Sequence, residues 1–188
     1  MLSKIKTPQE LMKFLDNNIT YGVISSTGEI ITNSNDVAFQ NICNNDWRTQ
    51  DAQTILQNRI GHCYDQVEIE REWFEINHYN FKTIWILAYQ NTVENSGCCH
   101  AYLVYEQNNC WHIFEHADFD NKGIHSFKTL NEALRWQAEN QKQYASSIVR
   151  PQKEYEIVIK EYAKPPKNLS MTQFFEYIDS CPTIEINQ

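Results

Sequence analysis

Glycine and proline are scarce in this chain, with five residues of each among 188. A sequence so poor in both, with 13% aromatic residues, is neither fibrous nor disordered and reads as a packed globular fold. Positive charge is in deficit too: Lys and Arg total 16 against 24 Asp and Glu, a formal charge of −8. A duplex nucleic-acid binder needs a basic stripe to displace counterions, and a membrane-surface segment needs a basic cluster, so neither partner is expected. No apolar run approaches the roughly 20 residues of a membrane span. The basic start, Met1 to Lys6, has no apolar stretch behind it, so no secretory leader is expected and a cytoplasmic location is.

Also missing are internal repeats, an inter-domain linker, a Gly-rich phosphate loop and a dinucleotide fingerprint, so no cofactor is expected. A single domain over residues 1–188 can bury about 70% of its unfolded surface without a staple. The six cysteines, Cys43, Cys63, Cys98, Cys99, Cys110 and Cys181, are irregularly spaced, which reads as free thiols in a reducing compartment. Cys98-Cys99 and Cys110-Trp111-His112 fit no zinc-ligand spacing, and adjacent residues on a strand point to opposite faces, so no metal is expected.

The chain opens with a capping box, Thr7-Pro8-Gln9-Glu10, before an apolar stripe of Leu11, Phe14 and Leu15. A short hairpin follows over residues 19–31, then two short helices over 35–60 with Trp47 between them. Cys63 to Ile76 reads as an uninterrupted helix. Three strands rich in Ile, Val, Tyr, Trp and Phe come next, Lys82–Tyr89, Cys99–Glu106 and Cys110–Glu115. Apolar residues at both parities of the second and third predict a sheet covered on both faces. A capping box at Thr129 opens a helix to about Tyr144, Tyr155–Tyr162 is a late strand, and Ser170 caps a last helix with Phe174, Phe175 and Ile178. This order defines an α+β fold.

Gly61-His62-Cys63-Tyr64-Asp65-Gln66 is where chemistry enters. A thiol at a helix start faces unsatisfied N–H groups and the positive end of the macrodipole, which stabilise the reactive thiolate and could hold an oxyanion. Gly61 reads as open space for a substrate backbone. Asp65, Glu68 and Arg71 are spaced to form an ion-pair row on the helix.

The partner of such a thiol is a histidine with an orienting acid. If Gln107-Asn108 is a two-residue turn, His100 lies directly opposite Glu115 on the same sheet face. A four-residue loop puts Tyr102 opposite Glu115 and leaves Glu115 diagonal to His100; a three-residue loop puts His116 opposite His100 instead. Asp118 is the alternate acid, but its parity is wrong in the first two registers, so it needs a bulge or a strand end. His116 and His125 flank the loop after Glu115 and are placed at the cleft mouth or on the surface. Trp47, Gln50 and Gln57 are upstream candidates for a second oxyanion donor.

Gly61-x-Cys63-x-Asp65 at a helix start, His100-Ala101-Tyr102 on one strand, and Trp111 followed four residues later by an acid resemble the transglutaminase-like superfamily. The resemblance covers about residues 50–125. It is strongest to uncharacterised bacterial proteins sharing Cys63-Tyr-Asp-Gln-Val-Glu, Phe114-Glu-His-Ala and Lys122-Gly-Ile-His125. It implies a papain-like core, with the Cys-bearing helix packed on an antiparallel sheet and helices flanking. It also implies a Cys63–His100–Glu115 triad acting on a protein or peptide amide. Glu115 stands where the superfamily usually has Asp. The superfamily includes transglutaminases, peptidases, peptide N-glycanases and inactive scaffolds, so the fold alone does not select an activity.

Overall fold

Thr7 accepts a hydrogen bond from the Glu10 N–H and Pro8 takes the first helical position of helix α1, Pro8–Asn18, but the reciprocal half of the expected capping box is displaced by one residue, the Glu10 carboxylate accepting the Lys6 N–H at 2.7 Å. The computed structural model describes residues 2–90, 97–148 and 154–186. The hairpin is shorter than expected: β1 is Val23–Ile24 and β2 is Ile30–Ile31, joined through Gly28 at φ 85°. Ile19 caps α1, and Thr20 forms a parallel bridge with Ile60, so neither joins the hairpin. Helices α2 (Val37–Asn45) and α3 (Ala52–Asn58) are capped by Asp36 and Asp51, with buried Trp47 between them.

Helix α4 is Cys63–Ile76, with the expected boundaries. It leads into β3 (Asn80–Tyr89), β4 (Gly97–Gln107), β5 (Cys110–Glu115) and β6 (Gly123–Phe127). Helix α5 (Leu130–Ile148), β7 (Glu156–Glu161) and α6 (Met171–Ser180) complete the described chain. The strands form one antiparallel sheet in the order β6-β5-β4-β3-β7, and the fold class is α+β. Strand β6 was not anticipated; with Gly123 and Ser126 it carries a weak strand signal and is held by pairing, from Trp111↔Phe127 to Glu115↔Gly123.

Alternation along β4 holds a helix on each face. Leu103 and Tyr105 join Phe114 against Ile69, Trp73 and Phe74 of α4. Tyr102 and Val104 join Ile84, Ile86 and Ile113 against Ala133, Leu134 and Ala138 of α5. Each large side chain buried this way contributes about 1.5–3 kcal/mol, so neither face could be left to water. The expectation of a sheet covered twice holds.

The turn between β4 and β5 lies one residue later than Gln107-Asn108 and gives the pairing expected of the four-residue loop. It is Asn108-Asn109, at φ 55° and 59°, closed by Gln107↔Cys110. A two-residue hairpin of type I′ needs positive φ at both positions, which Asn tolerates and Gln does not. Glu106 therefore faces Trp111, and the ladder runs as far as Leu103↔Phe114. Extended by one residue it sets Tyr102 against Glu115, leaving His100 diagonal to the acid rather than opposite it. No helix of the described residues is long and apolar enough to cross a membrane.

Candidate active site

The start of α4 is locked by its own sequence. The Gly61 N–H donates to the Thr20 carbonyl at 3.1 Å. A Cβ on Gly61 would lie 2.8 Å from the Asp65 Cβ and 3.1 Å from Ile55 Cγ2, so its missing side chain makes room for the helix cap and not for substrate, contrary to expectation. His62 is the N-cap, and its N–H donates to Asp65 Oδ2 at 3.2 Å. Asp65 also accepts from the Trp47 indole at 3.1 Å, and Gln66 Nε2 donates to the Gly61 carbonyl at 2.8 Å. His62 Nδ1 lies 2.9 Å from Asp65 Oδ2, a close charge contact without the alignment of a hydrogen bond. The expected ion-pair row is therefore halved: Arg71 and Glu68 pair at 3.2 Å, while Asp65 turns to His62 and Trp47.

These contacts deliver Cys63 to the end of the β4–β5 ladder. His100 Nε2 and Glu115 Oε2 are 2.7 Å apart. That leaves Nδ1 as the ring nitrogen for Cys63, which lines the same cleft and whose thiolate the His100 side chain favours. The Ala101 N–H, two residues past the last β4–β5 pair, favours the Cys63 thiolate as well. The other oxygen of Glu115 accepts the N–H groups of Ala117 at 3.0 Å and Asp118 at 2.9 Å. Both carboxylate oxygens are thus engaged, one by the ring and one by the backbone of the following loop.

Charge follows geometry. Burial pushes the Cys63 thiol up, but the His100 hydrogen bond and charge, the His62 charge and the Ala101 N–H outweigh it and lower the thiol below its ordinary value. Burial disfavours the His100 imidazolium, yet the Glu115 charge and the contact with Cys63 hold it well above the usual histidine range. His62 is held up in the same way, chiefly by Asp65 against burial. Two neighbouring thiols behave oppositely: burial pushes Cys98 up to about 11 and Cys99 up to about 12. Cys99 is 2.6 Å from the Tyr64 hydroxyl. Buried Glu70 is held well above the usual carboxylate range by desolvation and by the Glu115 charge.

Cys63 and His100 open into a cleft of about 340 Å³ whose walls include Tyr21, Ser34, Asp118, Phe119 and Tyr144. Asp118 lines this cleft, but its carboxylate accepts the Asp120 N–H and the Asn121 amide instead of reaching His100. His116 is not at the mouth: it is buried, 2.5 Å from Gln66 Oε1 and 3.2 Å from Asp16 Oδ1. His125 bonds the Asn121 carbonyl and packs on Trp136. The three upstream oxyanion candidates lie elsewhere: Trp47 is committed to Asp65, Gln50 accepts from Asn58, and Gln57 borders a separate groove beside Leu2. Sequence reasoning missed Tyr21, Gln141 and Tyr144 as cleft residues. Gln141, Tyr144 and Ile148 share one helix face by spacing, a signal that was available; Tyr21 carried none.

A thiol at a helix start, a histidine on the central sheet and a carboxylate at the end of the next strand define a nucleophile–base–orienter constellation. No protein-family model matches the chain, and no curated protein matches it in sequence.

Proposed function

We propose that the chain is a cysteine-nucleophile acyl-transfer enzyme of the transglutaminase-like superfamily, acting on protein or peptide amides through Cys63, His100 and Glu115. The observation that carries this reading is the relay itself: Glu115 on one side of the His100 ring and Cys63 on the other, at the floor of an open cleft. The chain order, Cys at a helix start, His on a strand and acid on the next strand, supports a papain-like core. In the reaction, the Cys63 thiolate bonds to the amide carbon and the carbonyl electron pair moves to oxygen. His100 passes its proton to the departing amine, and water or a second amine then resolves the thioester.

Thiol alkylation tests the reading. Iodoacetamide at limiting concentration should label Cys63 before the other five cysteines, with a rate that is already high well below the roughly 8.5 pKa of a free thiol. A Cys63 that reacts only as an ordinary thiol, or is silent while another cysteine labels, points instead to a domain that keeps the fold for binding.

A further inference from the structure

The proposed chemistry requires two donors for the carbonyl oxygen as it gains charge, and the helix start supplies one. The Cys63 N–H, at the first helical position, has no intrahelical acceptor and no other partner among the described residues. The geometry points to the Tyr21 hydroxyl as the second oxyanion donor, an assignment that rests on the acyl-transfer reading of the same cleft.

Four observations carry it. The parallel bridge Thr20↔Ile60 and the Gly61 N–H bond to Thr20 lay Tyr21 alongside the segment that leads into Cys63. The Tyr21 ring is clamped, stacked on Phe39 at 6.0 Å and meeting the edge of Phe119 at 5.5 Å, so its hydroxyl is held without a bond of its own. Tyr21 and Cys63 line the same cleft, and the hydroxyl has no hydrogen-bond partner among the described residues. Burial, then the Cys63 charge, then Tyr144 hold the phenol well above its ordinary value, so the group beside the thiolate remains a donor throughout the working pH range. A fixed, protonated, unpartnered donor next to the nucleophile is what an oxyanion site needs. Tyr144 serves less well, because at 45% exposure its hydroxyl is open to water rather than held in the cleft wall.

Para-nitrophenyl acetate separates this role from the reactivity of the thiol. In acylation, Cys63 Sγ bonds to the ester carbon, the carbonyl pair moves to oxygen and returns, and nitrophenolate leaves. Alkylation by iodoacetamide forms no oxyanion. Stopped-flow acylation and alkylation should be compared for the wild type, Tyr21→Phe and Tyr89→Phe. Tyr21→Phe keeps the ring clamp and should alkylate at the wild-type rate while acylating roughly 10²-fold more slowly, the usual cost of one lost oxyanion donor. Tyr89→Phe, whose hydroxyl bonds Glu156 outside the cleft, should acylate normally. Unimpaired acylation by Tyr21→Phe overturns the assignment while leaving the triad standing. Loss of both reactions in that variant makes the hydroxyl structural and also overturns it. A wild-type Cys63 inert to both reagents removes the acyl-transfer reading and this inference together.

Discussion

Replacing Glu115 by Gln tests the relay at its most constrained atom. One carboxylate oxygen accepts two backbone N–H groups, from Ala117 and Asp118, and the other faces His100 Nε2 at 2.7 Å. An amide has a single acceptor oxygen, and the two backbone donors claim it. Its NH₂ then faces the ring and donates to Nε2, which must be unprotonated, so the ring's one proton moves to Nδ1 beside Cys63. The charge that holds His100 as imidazolium is gone, and the tautomer is wrong for a base. Cys63 reverts toward an ordinary thiol, about 3% ionised at pH 7, so alkylation there should fall by up to roughly thirtyfold. Turnover on any amide substrate should fall further, on the order of the ~10⁴ lost when a triad acid becomes an amide. The fold should survive, because the two backbone bonds remain; the loss is about one charge-assisted hydrogen bond, roughly 1.5–3 kcal/mol. Asp118→Asn is the control, since Asp118 holds Asp120 and Asn121 and not the ring, and should change reactivity little. An alkylation profile of Glu115→Gln that overlays the wild type, or an Asp118→Asn that loses as much, would refute the relay.

Asn109→Ala should cost about 1–2 kcal/mol in urea denaturation, because its φ of 59° is a left-handed conformation that alanine resists; a cost near zero would mean that the turn is not set by its asparagines. His62 is held well above the usual histidine range, so the stability it contributes is complete below about pH 6.5 and is lost as pH rises through its folded value. Urea midpoints measured from pH 6 to pH 9 should therefore fall more steeply for the wild type than for His62→Gln, and parallel curves would contradict the charge assigned to His62.

Much of the site was legible because the responsible signals are local. Thr7, Ser170 and Cys63 sit at helix starts that capping residues and composition mark in one dimension. Glu115 was legible for a subtler reason: the turn was misplaced by one residue, but the resulting register differs by two, and an even shift preserves which face a side chain occupies. What was illegible depends on contacts far apart in sequence. Gly61 looked like an opening because nothing near it announces that Asp65 and Ile55 fill the space. Strand β6 exists through its partner β5, and Tyr21 enters the cleft through a bridge between residues 20 and 60. His116 looked like a surface residue on a loop and is instead drawn under it by Gln66.

The double duty of the Glu115 carboxylate has a mechanical consequence. The same group that steadies the histidine also pins the first two residues of the segment forming one rim of the cleft, and its backbone is paired with Gly123 where that segment ends. This rim cannot swing outward without pulling its anchor from His100, so widening the cleft there would disarm it. Ser34 and Asn35 sit in a loop, and Tyr144 and Ile148 ride the exposed end of α5, so in the proposed reaction a substrate would meet one wall tied to Glu115 and others that are not.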